Sequence, residues 1–407
     1  FQVLKDMYGM SMGKAQMTFF GLKPAETREV QIGVGQKISL PWGLIEIPVF
    51  PGLELYFQEE KDRDFGLVFR VYAEGPKKYQ DDMDRLFDAI EAYLKVNSIY
   101  RGHAIIGGDN PEFMDLTRFK REEIIFSDEV EAQVKGLLFG PIRHRNALET
   151  EGISLKRSIL AYGPYGTGKS SLGLITAQEA VENGWTFIAA KAGRDKPEDI
   201  LRTARLYEPS IVFVEDIDTS TSSGEAEDVT RFLEAFDGVS SKGGKLIALM
   251  TTNHIERIHK GMLRPGRLDG VIHIAELDRH GIERLVKAVV DGDKLAGDVD
   301  YDAVATAMEG FLPAFVRDSI TRSQTFAINQ ANGALDYTIT TESLVEAAHS
   351  LRVQHGLLTD ADEGALKPTL DKSFREAVAD EVRSTLVTLQ VRDSGLPIID
   401  PVAEANK

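Results

Sequence analysis

The sequence contains no cysteine. This excludes a disulfide framework and any thiolate zinc site, and it fits a reducing compartment. It also lacks an apolar run long enough to cross a bilayer and a charged-then-apolar leader, so a cytoplasmic protein with no membrane partner is expected. Positive charge is scarce: 47 Lys and Arg stand against 64 Asp and Glu, a formal net charge of −17. Such a chain repels phosphate backbones, which disfavours nucleic acid or an anionic membrane as the main partner. Internal repeats and low-complexity tracts are missing too. What remains is ordinary for a folded protein. The chain has 407 residues, 43% hydrophobic and 27% charged, enough for two to three domains with a sizeable core.

The chain changes character along its length. Residues 1–120 mix short β-like runs ("REVQIGVGQKISL", "LIEIPVF", "FGLVFRVYAEG") with one helix, "YQDDMDRLFDAIEAYLK". In that helix Met83, Leu86, Phe87, Ile90 and Leu94 recur at helical spacing. An α+β domain for recognition or ring scaffolding is expected there. The methionine-rich start reads as a packed terminus or a partner-binding arm. Residues 121–277 alternate five short apolar strands with helices, the pattern of a parallel sheet covered on both faces. This α/β core opens on a helix that Ser127 caps. Residues 278–358 read as a small helical domain, and 359–407 as a "TDADEG" linker followed by a last helix with an apolar stripe.

Between the first core strand and its helix stands "GPYGTGKSS", Gly163 to Ser171, which matches G-x-x-x-x-G-K-[ST] in its confirming context. Gly163, Gly166 and Gly168 let the backbone turn so that successive N–H groups face a phosphate. Pro164, Tyr165 and Thr167 complete the loop, and the helix that follows adds its positive dipole end. Lys169 is placed to reach β- and γ-phosphates, and Ser170 to bind Mg²⁺. ATP and Mg²⁺ are therefore the expected cofactors.

A phosphate loop needs a second strand that carries acid. "IVFVEDID" supplies Glu215, Asp216 and Asp218 after four apolar residues. Glu215 is assigned toward the metal and Asp216 as the base that orients the attacking water, although the same spelling also allows the two to share or exchange these roles. "LIALMTTN" ends in Asn253, a water-orienting carboxamide or a simple turn former. "LRPGRLD" sets Arg264 and Arg267 around a Pro-Gly turn, where they suit a phosphoryl group or surface ion pairs.

These motifs, in this order, resemble the AAA family of ring-forming ATPases from about Phe126 to Gln354. The resemblance implies a P-loop NTPase fold with a five-stranded parallel sheet and a helical lid, and a homo-oligomer, normally a hexamer, that hydrolyses ATP to remodel or move a protein. It also implies that Asn253 is the first sensor. Arg264 and Arg267 become fingers reaching the neighbouring subunit's ATP, with Arg231 at the same interface, and Arg317 a second sensor. Within the family, "EDID", "MTTN", "RPGR" and "GKSS" resemble the mitochondrial branch that translocates a folded Rieske protein. That branch writes the acid pair in this reversed order and still works. The segment Lys191–Ile200 carries no aromatic residue, unlike the pore loops of threading relatives. Two function classes compete with protein remodelling: a nucleic-acid motor or loader, and an ATP-gated scaffold with slow turnover.

Overall fold

The computed structural model describes residues 2–8, 16–18, 21–23, 27–41, 43–47, 49–62, 66–108, 111–191, 195–217, 227–238, 244–258, 261, 264 and 267–362. Residues 1–345 form one compact unit and 346–407 a second. The expected last helix lies outside the described residues, as do Asp218, Arg194, Pro265 and Gly266.

The amino-terminal part begins with helix α1 (Gln2–Tyr8). Two antiparallel pairs follow, β1 (Gln16–Thr18) with β2 (Gly21–Lys23) and β3 (Thr27–Gly33) with β4 (Gln36–Pro41). A three-stranded meander of β5 (Gly43–Glu46), β6 (Glu54–Asp62) and β7 (Gly66–Glu74) comes next. Helix α2 (Gln80–Asn97) closes this part. Val3 and Leu4 of α1 are buried with Ile47, Leu53, Leu55, Met83 and Leu86, so the start of the chain is packed. The predicted stripe on α2 holds for Met83 and Leu86 and weakens along the helix. Phe87 and Ile90 are half-buried, and Leu94 is exposed.

The central sheet has seven strands in the order β14-β10-β13-β12-β11-β8-β9. Five are the parallel strands read from sequence: β10 (Arg157–Tyr162), β11 (Thr186–Ala189), β12 (Ser210–Val214), β13 (Leu246–Thr252) and β14 (Gly270–His273). Two more come from residues before 120. β8 (Ala104–Ile106) runs parallel to β11, and β9 (Glu112–Phe113) pairs antiparallel with β8 at the edge. Strands of three and two residues have no readable period, which is why they escaped the sequence pattern.

Strand alternation sorts the core onto two faces. Ile159, Ala161, Ile211, Phe213, Ile247 and Leu249 face one side. Leu160, Val212, Val214, Ala248 and Met250 face the other. The first face is covered by α6 (Lys169–Glu182) and by a run of short helical segments, α3 (Asp128–Val134), α4 (Gly140–Arg143) and α5 (Arg145–Thr150). Ser127 caps α3, its hydroxyl accepting from Val130 N at 3.4 Å. A π turn, Lys135–Phe139, links α3 to α4 just before Pro141, which has no N–H for an α-helical ladder. The second face is covered by α7 (Pro197–Leu206) and α8 (Glu227–Gly238). α6 can lie close on the sheet because Gly173 has no side chain; a Cβ there would stand 2.5 Å from the Phe213 ring.

After β14 come the lid helices α9 (Arg279–Val289), α10 (Tyr301–Ala307) and α11 (Pro313–Gln330), then α12 (Thr341–Asp362). α12 runs through Thr359–Asp362, where the sequence reading expected linker. Asp278 and Asp300 cap α9 and α10 through their carboxylates. No described helix is long and apolar enough to cross a membrane.

Candidate nucleotide site

Chain order and spatial order diverge around β10. The strand is followed by β11 three places away, while β13 lies directly beside it. Such a switch point opens a crevice at the carboxyl ends of the strands, where ligands of open α/β sheets bind. Three chain segments end there side by side: the loop after β10, Asn253 after β13, and Glu215 and Asp216 after β12.

The loop is built for close approach. A Cβ at Gly163 would stand 2.0 Å from the Ile274 carbonyl oxygen, so no larger residue fits. Gly168, the N-cap of α6, has φ +102°, a conformation that favours glycine, and a Cβ there would meet the Phe126 ring at 3.3 Å. Thr167 is buried, its hydroxyl donating to Pro164 O at 2.9 Å. Lys169 is also buried, with its ammonium donating to Gly163 O and Pro164 O at 2.7 Å each. A buried ammonium calls for anionic company, which phosphate oxygens supply. The lid reaches this loop directly, through Ala314 N donating to Gly166 O at 3.1 Å.

The two acids diverge. The Ser170 hydroxyl donates to the Glu215 carboxylate, which brings together the two side chains expected to hold Mg²⁺. Asp216 instead lines the cavity and accepts from Asn253 Nδ2 at 2.9 Å. The other carboxamide atom, Asn253 Oδ1, is buried and has no hydrogen-bond partner among the described residues. Asp216 has a left-handed backbone, φ +43°, and its N–H donates to the Thr251 hydroxyl at 3.0 Å. Thr251 carried no signal in the sequence beyond being a polar residue late in an apolar strand.

The cavity measures about 730 Å³, within the range of small-ligand sites. Ser171, Tyr165 and Gly166 to Ser170 line it, with Asp216, Asn253, Pro313, Ala314 and Arg317. Its remaining wall is Arg118–Lys120 and Glu123–Phe126, with Leu285 of α9. Sequence reading missed this wall, since "FKREEIIF" is neither periodic nor a motif. Tyr165 stands at the mouth, 56% exposed, its ring edge-on to His254 at 6.4 Å. Arg317 is held by the Glu123 carboxylate, and its Nη1 lies 3.4 Å from Glu123 O. Arg317 and then Lys120 keep the Glu123 carboxyl below the usual range, against the opposing effect of burial. The residues present therefore fit a nucleoside triphosphate with its metal: glycines that leave backbone room, a buried ammonium, a Ser–Glu pair and a carboxamide oxygen without a partner among the described residues.

Arg264 and Arg267 do not join this cavity. Both are exposed, on a turn where Arg267 N donates to Arg264 O at 3.1 Å. Arg231 is exposed on α8. Within the stretch read for pore-loop residues, Ala192–Arg194 lie outside the described residues. At its start the Lys191 ammonium pairs with Glu112 at 2.6 Å, and Lys191 N donates to Asp195 at 2.7 Å.

Comparison with known proteins agrees with this geometry. Residues 159–276 match the ATPase family associated with various cellular activities (AAA). The proteasome-activating nucleotidase of Methanocaldococcus jannaschii is 27% identical over 257 residues, 58% of this chain and 57% of that protein. Protein SAV of Sulfolobus acidocaldarius is 28% identical over 229 residues, 51% of this chain and 29% of its own length. The ATP-dependent zinc metalloprotease FtsH of Helicobacter pylori is 29% identical over 194 residues, 43% and 31%. The chain thus spans less than two thirds of the length of each of these relatives. A phosphate loop, an acidic strand end and a polar strand end, all within the segment 159–276 that matches the AAA family, converge on one cavity.

Proposed function

We propose that this chain is a magnesium-dependent ATPase that works as a ring, normally a hexamer, and remodels or moves a protein substrate. The observation that carries the reading is the division of labour between neighbouring acids. Glu215 is turned to the Ser170 hydroxyl, and Asp216 to Asn253 at the cavity wall. In this reading Ser170 and Glu215 hold Mg²⁺, which when bound neutralises charge on the β- and γ-phosphate oxygens. Loop N–H groups and the Lys169 ammonium hold the same oxygens. Asn253 Oδ1 would accept a hydrogen bond from the attacking water and so aim it, and Asp216 would accept the one proton that the water gives up as it attacks. Arg317 reports the γ-phosphate to the lid. Arg264 and Arg267, outside their own subunit's cavity, serve the neighbouring one.

The division into parts follows. Of residues 1–120, the part before β8 selects the partner, while β8, β9 and Arg118–Lys120 belong to the sheet and cavity of the part that hydrolyses, 121–277; 278–358 form the lid, and 359–407 add a linker and a last helix. Relatives named for proteasome activation and for ATP-dependent proteolysis support protein as the class of substrate. The narrower kinship, with the branch that moves a folded Rieske protein, rests on the reversed acid pair and on "MTTN". The lack of an aromatic residue between Lys191 and Ile200 supports handling a partner without threading it, because grip on an arbitrary chain comes from apolar contact and stacking. A cytoplasmic site of action completes the proposal.

The test is phosphate release from Mg-ATP by the purified chain and by Lys169→Ala, with and without added folded protein or single-stranded DNA. The expected result is turnover that disappears in Lys169→Ala and rises with protein. Stimulation by DNA alone would favour a nucleic-acid motor. Well-formed rings without steady turnover would make the chain an ATP-gated scaffold.

A further inference from the structure

We propose that Thr251 is a positioning residue that lets the reversed acid pair work; this rests on the ATPase reading above. Reversal places the longer carboxylate first and the shorter second. A shift of one methylene, on the order of 1 Å, is enough to cost ~100-fold in rate, so the backbone must compensate. It does so at Asp216, which adopts φ +43°, a left-handed conformation unfavourable for most residues with a Cβ and open to Asp as one of few exceptions. Two successive amides of that turn are held by one residue. Asp216 N donates to the Thr251 hydroxyl at 3.0 Å, and Ile217 N to the Thr251 carbonyl at 2.9 Å.

Only the first of these bonds depends on the side chain. Thr251 is fully buried at the end of the apolar run Leu246–Met250, where a hydroxyl needs a partner. Its partner is the N–H of the residue whose carboxylate meets Asn253. The left-handed turn is therefore fixed from below by Thr251 and from the side by Asn253 Nδ2, at 2.9 Å from Asp216 Oδ1. With the turn fixed, Glu215 faces the Ser170 hydroxyl while Asp216 lines the cavity. Thr251 is not itself among the residues that line the cavity. It acts through Asp216.

Thr251→Val keeps the shape and removes the acceptor, whereas Thr251→Ser keeps the acceptor and removes a buried methyl. Steady-state kinetics with Mg-ATP and thermal melts of both variants separate the proposal from a packing role. The expected result is kcat reduced roughly 10- to 100-fold in Thr251→Val, with KM for ATP within about threefold. Thr251→Ser keeps kcat within about threefold although its melting temperature falls. Adding Thr251→Val to Asp216→Asn brings less than about twofold further loss, since both act on one group. The proposal is overturned if Thr251→Val turns over like the parent. It is equally overturned if kcat falls in both variants in step with melting temperature, or if the losses from Thr251→Val and Asp216→Asn multiply. Lys169→Ala keeps the two levels distinct. A parent whose turnover needs Lys169, beside a fully active Thr251→Val, leaves the ATPase reading intact and removes this one. A parent no more active than Lys169→Ala removes both.

Discussion

Glu215 and Asp216 are adjacent, yet their carboxylates serve different parts of the site, and the difference is made by the backbone between them. Glu215 meets the Ser170 hydroxyl, whereas Asp216, turned by its positive φ, meets Asn253. Glu215→Gln should weaken retention of Mg-ATP along with turnover, because an amide is a poorer ligand for a hard cation. Asp216→Asn should leave Mg-ATP binding within about threefold and cut turnover by ~10²–10⁴, the usual worth of a positioned base. Equilibrium binding of a fluorescent ATP analogue with Mg²⁺, beside single-turnover hydrolysis, checks both. If Asp216→Asn loses the nucleotide while Glu215→Gln holds it, the two acids exchange roles. The sequence reading assigned the two acids different roles, but the backbone turn that separates them was not legible in it. "EDID" names three acids in a row, and nothing in its spelling tells which one turns into the cavity. A left-handed aspartate has no sequence signature, and the hydroxyl that holds it lies on another strand.

At the scale of elements, the phosphate-loop helix is tied to the cavity wall through Glu179. That carboxylate, buried on α6, accepts from Arg143 at 2.6 and 2.7 Å and from Arg121 at 2.8 Å. Both guanidiniums lie over the Phe139 ring, with 5.5 Å to its centroid in each case. Arg121 begins the turn Arg121–Glu123, and Glu123 holds Arg317, so one polar chain runs from α6 through the wall to the lid helix α11. Burial pushes the Glu179 carboxyl up, but the hydrogen bonds and charges of Arg143 and Arg121 outweigh it and leave it below the ordinary value of 4.5. A depressed carboxylate contributes stability above its unfolded pKa and loses it as pH falls through the folded one. Glu179→Gln should therefore melt below the parent at pH 7, and the gap should shrink as pH drops below about 4.5. Because both arginines keep contact with solvent, the loss at pH 7 is about 1–2 kcal/mol, less than that of a fully enclosed pair. Thermal melts at several pH values check this, and a gap that stays constant down to pH 3.5 would count against the linkage. Sheet and helices were readable because buried parallel strands are continuous apolar runs. This polar chain was not, since its members are scattered among ordinary surface charges and only folding brings them together.

Arg264 and Arg267 pose a question for the whole molecule, because neither lines its own cavity and, in the proposed ring, they would serve a neighbour's. Both side chains are exposed, and neither lines the cavity that holds Lys169 and Asp216. A guanidinium delivered across a subunit boundary to the transferring phosphoryl group is typically worth ~10³–10⁵ in rate. It makes hydrolysis conditional on assembly. Arg267→Ala subunits should then bind ATP normally and turn over at a small fraction of the parent rate. Lys169→Ala subunits fail for a separate reason, having no grip on the β- and γ-phosphates, yet they still carry intact arginines. In a mixed ring, some interfaces join a parent-type Lys169 cavity on one subunit to intact arginines on the next. Those interfaces contain every group the reaction needs. Mixing the two inactive proteins should therefore recover part of the parent rate, with a maximum near equal proportions and a loss on dilution below the concentration at which rings hold together. Differential tags and co-purification establish that the rings are mixed, and phosphate release reads the recovery. Mixed rings with no activity at any ratio would place Arg264 and Arg267 outside catalysis and return them to the surface ion pairs that their exposure also permits.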